Sequence, residues 1–527
     1  MKNSFFLVIP EQQNSPYLSA SYEKTVVTQW VSELPSANLS LSTRLLHDYI
    51  AEFNAVEMPA QKRLEALEIL EPHFLSIEDY LRSRLINSGF PKGTSEQKIL
   101  ALIVAIEKNF TIAYWMVLRE LSGKNTAWFQ GKNVALAIQR TIKGLSSIIV
   151  TQYMMFAPIP DWVWIDLHSL YKLSVKIKKN NAKVNDVYHG NTKVTTAEES
   201  YKQILMLSLS DPSGLMQKEV QQVYHFIGKI SSLVKIENHA VTRQSTQCVI
   251  LMDEDVQPYF NHQGNSLDSS TLYLNFLKLN KGLQAVDKFC SQQEARFSSM
   301  QVVNNTSEKL PVDLFNYLVK SWQGIELKGN TFFSDRLDRY IAVGLDATHS
   351  LQDPMNVNVE PDLEILAESF SDRELSCKFE KEGVLSIGSL VSFRQIKEKE
   401  SKRSLGVVIK ITMPKQDGHI VFELVTLTAQ SYAVSYQNID ADQDKEPHKA
   451  LLYGTKNGAE EKSFIILESF SHQNDDILRL NMNGQKFPIV LGFRKNIGLG
   501  YWQFECRRIE SGQTPEVKAK KSGYDFI

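Results

Sequence analysis

A surplus of basic charge is missing from this 527-residue chain: 58 lysines and arginines stand against 60 aspartates and glutamates, for a net charge of −2. Sequence-independent binding to duplex nucleic acid comes mostly from neutralising phosphates, so this balance excludes a general duplex binder and leaves room only for a local basic groove. Cysteine is scarce. The four that occur, Cys248, Cys290, Cys377 and Cys506, are scattered with no CxxC pair. That fits neither a disulfide framework nor a structural zinc site, and points to a reducing compartment. The opening "MKNSFFLVIPEQQ" has one lysine and five consecutive apolar residues before Pro10, shorter than the apolar stretch of a secretory signal.

Catalytic motifs are missing too. No HExxH and no GxSxG occurs. The triplet GKN appears at Gly123–Asn125 and Gly131–Asn133, but a phosphate loop also needs an earlier glycine and a following Ser or Thr, so both read as loops that end helices. "MDEDV" clusters Asp253, Glu254 and Asp255 without the alternating oxygen ligands of a calcium loop, and reads as a strand-end turn. "WVWIDLHSLY" puts Trp164, Leu167, His168 and Tyr171 on one helical face, where a histidine satisfied by a hydrogen bond in the core is the simplest reading; His349 reads the same way. With no convergent acid, base or nucleophile, the chain reads as a non-enzyme that needs no cofactor.

What is present is pattern. A chain of this length implies two to four domains. Residues 1–235 read as a helical domain: Leu41, Leu45, Tyr49, Ile50 and Phe53 recur at the three-to-four spacing of one apolar helix face. Pro59 then opens a second such run. Further helices are expected over 94–121, 130–156, 161–178, 196–209 and 214–234, joined by short connectors that favour antiparallel neighbours. The most apolar stretch, "ILALIVAIEKNFTIAYWMVL", carries Glu107 and Lys108 at its centre. A lipid-spanning helix would be strongly destabilised by both, so the stretch reads as a buried helix, with no transmembrane segment and a cytoplasmic location.

From about 240 the hydrophobic period shortens. Residues 240–350 read as a mixed α/β module with the helix "PVDLFNYLVKSW", and 351–374, with seven acids, one base and two prolines, as an acidic linker. Residues 375–510 are short β-runs separated by turn residues. Asn457-Gly458 and Asn483-Gly484 mark tight hairpins there, because both central positions favour positive φ. This is the pattern of one small antiparallel β-barrel, followed by a polar tail over 511–527. The fold class expected is multidomain α+β: a helical bundle, a central mixed module and a C-terminal antiparallel β-barrel.

"FRQIKEKESKRSLGVVIKI" (393–411) packs five basic and two acidic side chains between Arg394 and Arg403, just before a β-branched run. Two readings stand: a phosphate-binding arm built on Arg394, Lys399 and Arg403, or a solvated hairpin whose charges keep a sheet edge soluble. "DRLDRYIAVGLDATHSL" offers a second pair, Arg336 and Arg339, ahead of a strand, with Asp335 and Asp338 at hand to neutralise them.

The segments "WVSELPSANLSLSTRLLHDYIAEFNAVEMPAQKRLEALEILEP", "WIDLHSLYKL" (164–173), "VGLDATHSL" (343–351) and "VLSIGSLVSFRQI…RSLGVVIKI" (384–411) resemble, in this order, landmarks of large bacterial PilZ-associated proteins, described as cyclic di-GMP-binding or chaperone-like. The resemblance implies a PilZ-like barrel at the C-terminus, a degenerate PilZ-like character for the central module, and cyclic di-GMP as the candidate ligand. It also implies an arginine pair spaced RxxxR and a DxSxxG turn. This chain departs from both: the nearest match is Lys399 to Arg403, with Arg394 nine residues before Arg403, and no DxSxxG follows. Together these features suggest a cytoplasmic signalling or adaptor protein that receives cyclic di-GMP and meets a protein partner through its helical domain. The alternative is a constitutive scaffold or chaperone-like protein whose barrel no longer binds nucleotide.

Overall fold

A computed structural model describes residues 5–123, 131–188, 191–240, 246–262, 270–282, 297–302, 306–325, 333, 335–353, 363–415, 418–439, 446–457 and 460–509. The chain divides into two compact units. One comprises Met1–Lys328 with Lys381–Gly383 and Thr412–Gly418; the other comprises Gly329–Glu380, Val384–Ile411 and His419–Ile527. The arrangement is multidomain α+β, with helices towards the N-terminus and antiparallel barrels towards the C-terminus.

The first unit contains helices α1 (Pro16–Ala20), α2 (Lys24–Ser32), α3 (Leu39–Asn54), α4 (Ala60–Leu85), α5 (Thr94–Gly123), α6 (Gly131–Met154) and α7 (Val163–Lys176). A hairpin that the helical periodicity does not announce, β1 (Val184–Tyr188) with β2 (Asn191–Thr195), precedes α8 (Ala197–Ser208) and α9 (Gln217–Ile230). Helices α5 and α6 are each long and apolar enough to cross a membrane, yet 56% and 78% of their most apolar windows are buried inside the protein. Several of their polar groups are partnered within the bundle. Arg82 of α4 donates to Glu107 of α5 at 3.0 Å and to Thr151 of α6 at 3.0 Å. Arg140 of α6 reaches Glu71 of α4 at 2.7 Å and Asp186 of β1 at 2.7 Å. Buried polar groups held in this way fix which helix faces meet.

The unit continues with a four-stranded antiparallel sheet of β3 (Lys235–Glu237), β4 (Gln247–Leu251), β5 (Tyr259–Asn261) and β6 (Thr271–Asn275), in the order β3-β6-β4-β5. A separate hairpin, β7 (Phe297–Val302) with β8 (Thr306–Pro311), leads into α10 (Val312–Trp322), the helix expected from "PVDLFNYLVKSW".

The second unit corrects the sequence reading. In place of one barrel over 375–510 there are two closed six-stranded barrels. The first uses β9 (Arg339–Val343), β10 (Ile365–Ser369), β11 (Glu374–Cys377), β12 (Leu390–Gln395), β13 (Ser404–Thr412) and β14 (Ile420–Thr428), with α11 (Leu345–Gln352) following its first strand. The second uses β15 (Tyr432–Asn438), β16 (His448–Asn457), β17 (Glu460–Leu467), β18 (Ile477–Met482), β19 (Gln485–Gly498) and β20 (Tyr501–Arg508). Numbered within each barrel, the order around both is 1-2-3-6-5-4. Two domains of one topology therefore stand in tandem, without a visible sequence repeat.

The first barrel also redraws the expected boundaries. Of the acidic linker assigned to 351–374, residues 354–362 lie outside the described residues, while β10 and the start of β11 are barrel strands. Strand β9 and helix α11, expected to close the central module, belong to the barrel as well. The physical reason is closure: without β9 and β10, strands β12 and β11 would each present an unpaired edge. The second barrel encloses Val434, Tyr436, Ala450, Ile465, Leu480, Leu491 and Phe504. A further core joins the two, with Leu345, Leu390, Leu405 and Val407 packing on Leu451, Tyr453 and Ile466.

Candidate functional site

The turn Asn483-Gly484 joins β18 to β19 with φ of 51° and 78°, the tight hairpin its residues favour. The corresponding connection in the first barrel, between β12 and β13, spans 396–403 and is the basic stretch. Comparison of the two barrels thus marks that hairpin as an elaboration on a shared plan.

Its residues divide into two classes. Lys397, Lys399 and Lys402 are exposed, and Lys402 pairs with Glu398 at 2.7 Å. Arg394 and Arg403 are buried, at 8% and 0% side-chain exposure, and converge on one carboxylate, Glu364. Arg394 donates Nε to Glu364 Oε1 at 2.8 Å and Nη2 to Oε2 at 2.5 Å, while Nη1 of Arg403 also donates to Oε1. The donors pointing away from Glu364 are tied down. Arg394 Nη1 donates to the Glu398 carbonyl at 2.8 Å, and Arg403 Nε donates to Ser392 Oγ at 2.8 Å. Arg403 Nη2 reaches the carbonyls of Ser392 at 3.3 Å and Tyr340 at 3.5 Å. The Arg394 guanidinium also stacks over the Tyr340 ring, 4.6 Å from its centroid, because the two residues face each other across β12 and β9.

Burial by itself would raise the Glu364 pKa, but the hydrogen bonds and charges of Arg394 and Arg403 together outweigh it and hold the carboxyl below its ordinary range. Burial lowers the Arg403 pKa against the opposing pull of Glu364. An arginine stays protonated in such a setting, so two cations face one anion. Chemically this is an oxyanion cradle, with three forked donors on a single acceptor group.

The second arginine pair lies in the same barrel. Arg339 on β9 is the register partner of Gln395 on β12, beside Arg394. It is committed elsewhere: Asp335 accepts from Arg339 Nη2 at 2.6 and 2.9 Å, and its guanidinium lies 4.7 Å from the Phe333 ring centroid. Arg336, with φ of 52°, is exposed. The structure therefore places Arg339 and Arg394 on paired strands with Arg403 at the end of the β12–β13 connection, and leaves Arg336 and Lys399 on the surface. Sequence reasoning missed Glu364. It is one of seven acids in a stretch of linker composition, and no local signal marks it.

The remaining motifs resolve as structural. His168 has Nδ1 2.7 Å from the Tyr201 hydroxyl and Nε2 2.9 Å from the Val256 carbonyl, and burial pushes its pKa down to about 4. His349 Nε2 lies 3.1 Å from the Val434 carbonyl. Asp255 of "MDEDV" accepts from the backbone of Trp162 at 2.5 Å and Ile165 at 2.9 Å, capping α7. Gly131–Asn133 opens α6 and so begins a helix where the sequence suggested the end of one; the other GKN runs beyond the described residues. Cys248, Cys377 and Cys506 are buried thiols whose pKa values burial raises, to about 12 for the latter two, and Cys290 lies outside the described residues. Among the described residues no group of three or more His, Cys, Asp or Glu side chains could hold a metal ion.

A family model described as "Cyclic-di-GMP receptor FimW, N-terminal domain" matches residues 25–241, within the helical unit. The chain is also similar to the "Cyclic-di-GMP receptor FimW" of Pseudomonas aeruginosa (strain PAO1), 22% identical over 342 residues. That alignment covers 64% of this chain and 54% of the relative, so the chain matches about half the relative's length. No solved structure matches.

Proposed function

We propose that this chain is a non-enzymatic receptor for cyclic di-GMP, a cytoplasmic signalling or adaptor protein that reads the nucleotide with its first barrel, here taken as PilZ-like, and engages a protein partner through its helical unit. The observation that carries the proposal is the convergence of Arg394 and Arg403 on one carboxylate, with three charge-assisted donors on Glu364. A phosphodiester presents the same kind of acceptor, charged and forked, and guanidinium pairs are suited to it. The likeness of residues 25–241 to the N-terminal domain of a cyclic di-GMP receptor supports the same ligand. In this reading Arg394 and Arg403 take one phosphate. Lys399 on the exposed turn and Arg336 reach the rest of the ligand, and Arg339 orients the rim through Asp335.

One observation favours a second reading, a scaffold that has lost the ligand: every guanidinium nitrogen of both arginines already meets an acceptor. Calorimetric titration of the full chain with cyclic di-GMP separates the two. Saturable heat at micromolar ligand, lost in Arg394→Ala and retained in a helical-unit control such as Lys62→Ala, supports the receptor. Absence of heat up to millimolar ligand supports the scaffold.

A further inference from the structure

We infer that Glu364 is a built-in competitor for the anion site, so that a phosphodiester is received by exchange for this carboxylate and not by addition to an open pocket. The inference rests on the receptor reading for the identity of the ligand, but its geometry stands on its own.

The three donors that meet Glu364 are Nε and Nη2 of Arg394 and Nη1 of Arg403. The other guanidinium nitrogens are held by Ser392 and by the carbonyls of Glu398, Ser392 and Tyr340. Withdrawal of Glu364 therefore leaves three donors still aimed at one point, because barrel groups fix the rest of each fork. With Glu364 in place there is no such opening. Arg403 has no exposed side-chain surface, Arg394 has 8%, and the carboxylate, at 12%, is the most exposed of the three. The acid is thus the member of the cluster nearest to solvent and placed to leave first.

Glu364 also sits where it can leave. It precedes β10, whose register partners in β9 begin at Ile365, so its own backbone is not part of the ladder. The exchange balances in charge: a carboxylate carrying one negative charge leaves, and each phosphate of a cyclic dinucleotide brings one. An uncompensated pair of buried guanidiniums, strongly destabilising in itself, is never formed for long. The consequence is quantitative. Apparent affinity equals intrinsic affinity reduced by the fraction of molecules with Glu364 withdrawn, so weakening the competitor must tighten binding.

Glu364→Gln keeps the size and one acceptor oxygen while removing the charge; Glu364→Asp keeps the charge and shortens the reach, and serves as the second variant if the first melts early. Cyclic di-GMP and inorganic phosphate are titrated by calorimetry into wild type, both variants and Glu364→Gln combined with Arg394→Ala. The expected result is affinity for cyclic di-GMP at least about tenfold tighter in Glu364→Gln than in wild type, with the gain lost in the double variant. Equal affinity in wild type and both variants, with loss in the double variant, overturns the competitor and leaves the receptor standing. Phosphate binding that appears in Glu364→Gln, without cyclic di-GMP binding in any protein, overturns the receptor and leaves the competitor standing. No binding of either anion by any variant overturns both.

Discussion

Gly388, just before β12 in the first barrel, and Gly498, at the end of β19 in the second, meet backbone to backbone: a Cβ added at Gly498 would lie 2.1 Å from the Gly388 carbonyl oxygen. Gly498 also has φ of 152°, a conformation that L side chains rarely adopt. This contact lies beside the shared core of Leu345, Leu390, Leu451 and Ile466, so the two barrels approach as closely as main chain permits. Gly498→Ala is therefore expected to destabilise the barrel pair by roughly 3 kcal/mol or more, since the obstructing atoms are backbone and cannot rotate away. Denaturant unfolding followed through barrel tryptophan Trp502 measures it, and an unchanged midpoint would show that the barrels part without cost.

Gly484 gives the contrasting case. Its φ is 78°, but nothing lies within 4 Å of an added Cβ. Gly484→Ala should therefore cost only the conformational penalty of the turn, about 1 kcal/mol. The same unfolding experiment should place its midpoint between those of wild type and Gly498→Ala.

Arg403 and Arg336 were equivalent candidates by residue type, and the structure separates them. Arg403→Ala removes a fully buried cation from Glu364 and Ser392, and should lower first-barrel stability by roughly 3–5 kcal/mol. Arg336→Ala removes an exposed side chain and should stay within about 0.5 kcal/mol of wild type. Thermal melting of the two variants side by side gives the answer, and equal melting temperatures would refute the assignment of Arg403 to the barrel's interior.

In the helical unit, Glu107 is buried beside Arg82 and Glu78. Burial is the largest influence on it; Arg82 opposes ionisation being lost, Glu78 favours the proton, and the pKa is raised from 4.5 to about 8. The folded state then binds a proton that the unfolded state releases. This stabilisation is fully present below about pH 4.5 and is lost as pH rises through about 8, a change on the order of a few kcal/mol. Glu107→Gln, which keeps the hydrogen-bonding shape but cannot ionise, should flatten the fall in stability between pH 5 and 8. Chemical denaturation across that range tests it; parallel curves for variant and wild type would remove Glu107 as the cause.

Much of the fold was legible because it is written locally. The three-to-four spacing along 94–121 and 130–156 is seen as α5 and α6, and Asn483-Gly484 turns where positive φ is needed. Glu107 in the middle of an apolar run signalled a buried helix, and it is found paired with Arg82. What was not legible is contact between distant segments. Tyr340 of β9 meets Arg403 only because β9 pairs with β12, over a separation of 63 residues. Strand β10 reads as linker because its five residues, "ILAES", set an exposed Leu366 between Ile365 and the buried Ala367 and are too few to show a period of two. The candidate site was half visible: Arg394 and Arg403 stood out by charge, but Glu364, 39 residues before Arg403, did not.

The sequence by itself determined that a mostly helical region precedes a mostly β region, the Asn483-Gly484 turn, and a set of cationic side chains rich enough to suggest phosphate. Tertiary structure alone decided that there are two barrels of one topology, that Arg394 and Arg403 are interior while Lys399 and Arg336 are not, and that a carboxylate already occupies the cradle. The reason is that periodicity and turn chemistry act over a few residues, whereas strand closure and ion pairing depend on which distant segments are brought within hydrogen-bonding reach.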